Sequence, residues 1–330
     1  MTKRLILAAL TALVAVALAT AQQISVVTEG GATTLYENLA DAINGAEPGS
    51  VIYLPGGGFP LADEVKITKR LTIIGIGHKY DNDNVDGATI IAGNLWFNEG
   101  SDRSALLGCY VNGSVAIAHD NSQINDILVR YCNVSAVDVR VGACKGITID
   151  QNYIRNGAGF KGAPAKFTHN ISPWVVELDG GFIAYNIFTS YVMNSYVFGS
   201  YPSGVGACGN CDNNQISNNI ILAKTNTIAG GNNVITHNML NGADWGDDPV
   251  NISGDWNDIF EKYNEGAVNP VTDFHFTNDY QQYSECGIYG GTGFNDHQTA
   301  PVPYIVSKTV DEQTNSAGFL NITITVKAGE

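Results

Sequence analysis

Ile149-Asp-Gln-Asn152-Tyr-Ile154, Phe167-Thr-His-Asn170-Ile-Ser172 and Ile183-Ala-Tyr-Asn186-Ile-Phe188 repeat one phrase. An apolar residue is followed by two variable residues, an asparagine, a variable residue and an apolar or small one. The phrase returns at Ile216-Ser-Asn-Asn219-Ile-Ile221 and Ile235-Thr-His-Asn238-Met-Leu240, and with cysteine in fourth place at Val129-Arg-Tyr-Cys132-Asn-Val134. With Cys109 at the head of the series, successive fourth positions lie 23, 20, 18, 16, 33 and 19 residues apart. Such spacing indicates stacked units whose loops differ in length. A helical solenoid requires paired amphipathic helices with a 3.6-residue period, whereas these units place β-branched residues at period two around a polar break. Asparagine tolerates left-handed backbone, so it is expected at a sharp bend between short strands. Aligned bends let side-chain amides hydrogen-bond from rung to rung. The sequence therefore predicts an all-β solenoid in which Cys109, Cys132, Asn152, Asn170, Asn186, Asn219 and Asn238 form one structural ladder.

Residues 1–21 carry Lys3-Arg4, an apolar run from Leu5 to Leu18 and the small residues Ala19-Thr20-Ala21. This is the layout of a secretory signal peptide, and it predicts a secreted or cell-surface protein. An uncleaved anchor is the alternative, but the run falls short of the roughly 20 residues a spanning helix needs. No segment of the mature chain is expected to cross a membrane. The formal charge is -15 at pH 7, and losing Lys3 and Arg4 makes the remainder more acidic still. That balance argues against a nucleic-acid partner, since phosphate binding relies on Lys and Arg. It also disfavours anionic polysaccharides unless a divalent cation bridges them. Of the six cysteines, Cys208 and Cys211 form a Cys-x-x-Cys. A local disulfide is favoured there over a metal site, because neither a redox-fold context nor a second ligand pair accompanies it.

Thr33 to Asn44 reads as an amphipathic helix with Leu35, Leu39, Ala42 and Ile43 on one face and Thr33 at its start. A strand follows at Val51-Ile-Tyr-Leu-Pro55. Together with Ile67-Thr-Lys-Arg-Leu-Thr-Ile-Ile-Gly75, this stretch resembles the N-terminal cap and first coils of right-handed parallel β-helix proteins of the pectin-lyase-like class. Cys286-Gly-Ile-Tyr-Gly-Gly291, then Ala300-Pro-Val-Pro-Tyr-Ile305 and Leu320-Asn-Ile-Thr-Ile-Thr-Val326, is similar to the tail of secreted bacterial members of undefined function. The resemblance implies a right-handed parallel β-helix over residues 22–279, plugged by the cap helix, and an irregular β tail over 280–330. Residues 241–279 break the rhythm and are expected to be a last irregular coil, with a strand at 250–252. The class carries lyases, hydrolases and binding proteins alike, so the fold does not specify the function.

Val137-Asp-Val-Arg-Val141 alternates cleanly and places Asp138 and Arg140 outward. Val176-Glu-Leu-Asp179 is expected to place Glu177 and Asp179 outward two coils later, with Lys161 between. Coils stack about 4.8 Å apart, so these five residues fall within reach of one patch. The resemblance to polysaccharide lyases extends to this location and these residue types. It implies Ca²⁺ held by Asp138, Glu177 and Asp179, with Lys161 or Arg140 as the base of a β-elimination on a uronate. Charges pairing across a solvated sheet face are the competing and simpler explanation. Gly246-Asp247-Asp248 is similar to the aspartate pair of polygalacturonase-type hydrolases, but the flanking phrases of that family are missing and a surface loop is expected. His169 and His237 are expected to be hydrogen-bonded turn residues. Asn112, Asn133, Asn170, Asn251 and Asn321 stand in Asn-x-Ser/Thr sites. The leading expectation is a polysaccharide-binding or surface-scaffold protein, with Tyr191, Tyr196 and Tyr201 as sugar-stacking candidates. A Ca²⁺-dependent uronate lyase is the alternative.

Overall fold

The computed structural model describes residues 23–61, 65–78, 87–189, 211–222, 231–241, 247–252, 255–263, 274–294, 304–310, 313, 318–320 and 322–327. The expected signal-peptide segment 1–21, Cys208 of the expected disulfide, and Tyr191, Tyr196 and Tyr201 lie outside them.

The chain winds into a parallel β-helix with three sheets, here A, B and C, of eleven, ten and six described strands. One coil shows the plan. Leu128–Arg130 runs in sheet A, the chain bends at Tyr131 and Cys132, Asn133–Val134 runs in sheet B, and Val137–Val139 runs in sheet C. A turn then leads to Ile147–Asp150, which pairs in parallel with Leu128–Arg130 one rung earlier. The repeated phrase thus straddles sheets A and B, and the sheet C strand follows it. Inward positions such as Val129, Val134, Val137 and Val139 are at most 1 % exposed and join one continuous core. Burial of these side chains supplies about 25 cal/mol per Å² of apolar surface, and each rung relies on its neighbours to complete it.

The ladder stands in register. Asn152 Nδ2 donates to Asn170 Oδ1, Asn170 Nδ2 to Asn186 Oδ1, Asn186 Nδ2 to Asn219 Oδ1 and Asn219 Nδ2 to Asn238 Oδ1, at 2.9 to 3.2 Å. Each Oδ1 also accepts the backbone N–H of the preceding ladder residue. Cys132 holds the same place with its thiol on the carbonyls of Arg130 and Leu106, and its N–H reaches Asn152 Oδ1. One expectation is corrected. The left-handed residue is the one before each ladder position: Gly108, Tyr131, Gln151, His169, Tyr185, Asn218 and His237, with φ from 50° to 63°. That residue turns the chain, and the following amide is thereby aimed inward. Among the described cysteines, burial pushes the thiols of Cys132 and Cys286 up to about 12 and that of Cys109 well above its ordinary range. Because the thiolate is the reactive form, iodoacetamide is expected to alkylate these three only after denaturation, as a mass spectrum before and after urea would show.

The cap differs from expectation. The helix is Leu39–Gly45, started by Asn38, whose side chain accepts the Asp41 N–H. Thr33–Tyr36 is a strand, antiparallel to Ile24–Val27, which pairs in turn with Val51–Tyr53. The β-branched Thr33-Thr34 pair suits a strand better than a first helical turn. Leu39, Ala42 and Ile43 still plug the apolar end, each at most 1 % exposed.

At the other end Val250–Ile252 extends sheet B, as expected. Outward residues of sheet B fall in one register column: Tyr110, Asn133, Tyr153, Ile171, Ile187, Ile220, Met239 and Val250. From Ile171 onward this column is aliphatic, and it is covered by a second core cluster that includes Trp256, Ile259, Phe260, Phe274, Phe276, Cys286 and Ile288. The boundary expected at residue 280 therefore falls inside a packed unit. Among the described residues, the β part of the tail is the hairpin of Tyr304–Val310 with Ile322–Lys327.

Candidate functional site

Sheet C carries a groove along its outer face. In-register pairing lines up Lys66, Trp96, Ala116, Asp138, Gly159 and Val176 as successive outward residues. Two residues earlier on each coil, Asn94, Ser114, Ala136, Gly157 and Trp174 form a second outward column, tied by backbone bonds from Leu95 N to Ser114 O through Ala158 N to Trp174 O. Ser114, Ala116, Ala136, Gly157 and Gly159 present almost no side chain. The result is a depression of about 660 Å³ with Trp96 toward one end and Trp174, Val176 and Glu177 toward the other. Four strand steps from Trp96 to Val176 span about 19 Å at the usual spacing.

The two indoles are held differently. His119 stacks on Trp96 with centroids 3.6 Å apart, and the Lys66 ammonium stands 5.9 Å from the Trp96 ring centroid on the neighbouring rung. The Trp174 ring lies flat on Gly157, whose φ of +85° and missing Cβ make that approach possible. A Cβ there would lie 2.4 to 2.6 Å from ring carbons of Trp174.

Asp138 is the carboxylate in the groove floor, bonded to Arg140 at 2.5 Å. Burial pushes its carboxyl above the usual carboxylate range, and Glu177 adds to the push, while Arg140, His119 and Lys161 oppose it. Of the five residues expected to share a patch, Asp138, Arg140 and Glu177 line the groove, and the Lys161 charge is felt at Asp138. Val176, not Glu177, takes the outward register of Asp138. Glu177 follows in left-handed conformation at φ 55° and still faces the groove. Asp179 leaves the set, since its carboxylate accepts from Asn213 Nδ2 at 2.8 Å.

The calcium expectation is corrected accordingly. Ca²⁺ takes six to eight oxygen ligands, yet Arg140 already engages Asp138 and Asp179 is turned to Asn213. Among the described residues no three His, Cys, Asp or Glu side chains gather as a metal site would require. The residues present do not fit the ion.

The remaining candidates are structural in their surroundings. Asp247 forms a bridge with Thr236, and Asp248 lies 3.4 Å from His237 Nδ1 on the bend between sheets A and B. His169 and His237 are bend residues, as expected. Of the glycosylation-type sites, Asn112 is exposed, while Asn133 and Asn170 are buried in hydrogen bonds. The sequence reading missed Trp96, Trp174 and the small-residue floor. The period-two pattern of Leu95–Phe97, with both flanking residues buried, was the signal that aims Trp96 outward. No family model, curated protein or solved structure matches this chain.

Proposed function

We propose that the protein binds a polysaccharide chain along the sheet C groove and acts as a secreted or surface glycan-binding β-helix. The observation that carries this reading is the floor of small residues between two tryptophans. A carbohydrate chain offers flat apolar ring faces and dense hydroxyls. Indoles suit the faces, and Asn94, Ser114, Asp138, Arg140 and Glu177 supply donors and acceptors for the hydroxyls. The rung spacing is close to the length of one pyranose unit, so a ligand lying along the solenoid axis meets a repeating surface. The signal-like residues 1–21 support the secreted or surface part of this reading.

The test is retention of the mature protein on a panel of insoluble and immobilised neutral and uronate polysaccharides, with affinity then measured by calorimetry. At least one polymer is expected to retain the native protein. Gly157→Ala displaces Trp174 from its seat and should weaken that binding by about tenfold or more, the scale of a lost aromatic anchor. Asp138→Asn should also weaken it without lowering the melting temperature. The sign follows from the raised carboxyl: the fold favours the protonated form, so a neutral amide removes an unfavourable charge and not a supporting one. Failure of every polymer to retain the protein would sink the proposal.

A uronate lyase is the second reading, favoured by Arg140 and Lys161 standing beside the same groove as candidate bases. Incubation with uronate polymers, with and without Ca²⁺, tests it through the ultraviolet absorbance of unsaturated products. Product accumulation that Lys161→Ala or Arg140→Ala abolishes would replace the binding reading with this one.

A further inference from the structure

The motif at residues 286–291 is a strap laid along the bend column. Cys286 Sγ donates to the His237 carbonyl, Gly287 N donates to the Asn218 carbonyl at 2.7 Å, and the Gly290 carbonyl lies 3.2 Å from His169 Nε2. The chain thus runs backward across four successive bends, His237, Asn218, Tyr185 and His169, from the rung of Asn238 to that of Asn170. It lies close against the aliphatic column, because a Cβ at Gly287 would stand 2.4 Å from Ile220 Cδ1.

His169 is 5 % exposed, and among the described residues its ring nitrogens meet acceptors. Its Nδ1 lies 3.1 Å from Asp150 Oδ1, and its Nε2 faces the Gly290 carbonyl. A neutral imidazole has one N–H, so one of these contacts would set lone pair against lone pair; the imidazolium donates to both. Asp150 does not supply the missing proton. Burial alone would raise its carboxyl, but bonds from His169 and Thr168 and the Arg130 charge hold it below the ordinary carboxylate range. The carbonyl of Gly290 has no proton to give.

We propose that His169 is a proton-dependent latch that seats the C-terminal strap on the solenoid. Among the described residues, the groups facing it come from sheet A, the next bend and the strap. Asp150 and Thr168 come from sheet A, with Arg130 bonded to Asp150 from the neighbouring rung. Tyr185 stacks on the ring from the next bend at 5.0 Å. The strap contributes the Gly290 carbonyl, with Glu285 and Tyr289 in the same turn and His275 stacked on Tyr289. Asp150 favours the charged ring and Arg130 opposes it. The seated strap supplies the second acceptor, which only the doubly protonated ring can engage together with Asp150. Closure is therefore favoured while the ring carries both protons and weakened once it carries one. Proton loss removes one charge-assisted hydrogen bond from the strap and loosens its seat on the bend column, while the ladder beneath stays folded.

The experiment uses the native protein. Long-range ¹H–¹⁵N spectra follow the protonation of both His169 nitrogens across the pH range. Hydrogen exchange, corrected for its intrinsic pH dependence, follows the Gly287 amide. Protection of Gly287 is expected to fall about tenfold as His169 loses its proton, the scale of one hydrogen bond from a charged donor, while the Asn186 amide keeps its protection. In His169→Gln the side-chain amide can donate to Gly290 at any pH, so the dependence should disappear. Equal protection of Gly287 in both protonation states, or an unchanged pH dependence in His169→Gln, overturns the proposal. If that variant does not fold, the native measurement decides alone.

Discussion

Asn186→Ala is expected to lower the unfolding free energy by about 3 kcal/mol, the scale of leaving buried polar groups without partners. The Asn186 amide accepts from the backbone and side chain of Asn170, and donates to the carbonyls of Phe167 and Ala184 and to Asn219 Oδ1. Alanine removes all five contacts at a position of zero exposure, where water does not replace them. The heaviest loss is the Asn170 N–H, whose acceptor is the missing oxygen. Asn186→Cys should fall between alanine and wild type, because Cys132 shows that a thiol can reach carbonyls of its own and the preceding rung. Urea unfolding monitored by circular dichroism measures the difference. A loss under about 0.5 kcal/mol, within the range of ordinary surface substitutions, would mean that the ladder is decoration.

The ladder was legible because a buried amide must recur wherever the coil bends, and polar residues at an apolar rhythm stand out. The bend itself was misassigned by one residue. Its left-handed position carries Tyr131, Gln151, His169, Tyr185, Asn218 and His237, a mixture with no common side-chain chemistry. Fixed backbone on both sides forces the conformation there, against a cost of roughly 1–2 kcal/mol for a non-glycine residue. The groove was invisible for a related reason. Ala116, Ala136, Gly157 and Gly159 mean nothing singly, and only pairing in register turns small residues on consecutive coils into a floor. Asp138 was found because a charge between two valines declares its face, and Asp179 was misplaced because the turn after Val175–Val176 ends the alternation early. The strap had a signal that went unread. The residue after each ladder position changes from Tyr110, Asn133 and Tyr153 to Ile171, Ile187, Ile220 and Met239, and an outward aliphatic column must be covered by something.

The second large effect is expected at Asp150, where alanine should cost about 3–5 kcal/mol, as when one partner of a buried ion pair is removed. Asp150 is 3 % exposed and bonded on both oxygens: Oδ2 to Arg130 at 2.7 Å, and Oδ1 to the Thr168 hydroxyl at 2.6 Å and to His169 at 3.1 Å. Its removal leaves a guanidinium, a hydroxyl and a ring nitrogen facing one another over an empty site. Asp150→Asn keeps the shape and one acceptor, so it should cost less. The pH dependence separates this variant from the ladder variant. The carboxyl is held below its ordinary range in the folded chain, so its contribution is complete above the unfolded value near pH 3.9 and is lost as pH falls through the folded value. Wild-type stability should therefore drop faster than that of Asp150→Ala below about pH 4, and the two curves should converge in acid. Asn186→Ala should keep a constant offset from wild type over the same range, because an amide carries no proton to lose. Parallel curves for Asp150→Ala would show that the carboxylate contributes by packing and not by charge, and the network around His169 would then have to be held by Arg130 and Thr168 without it.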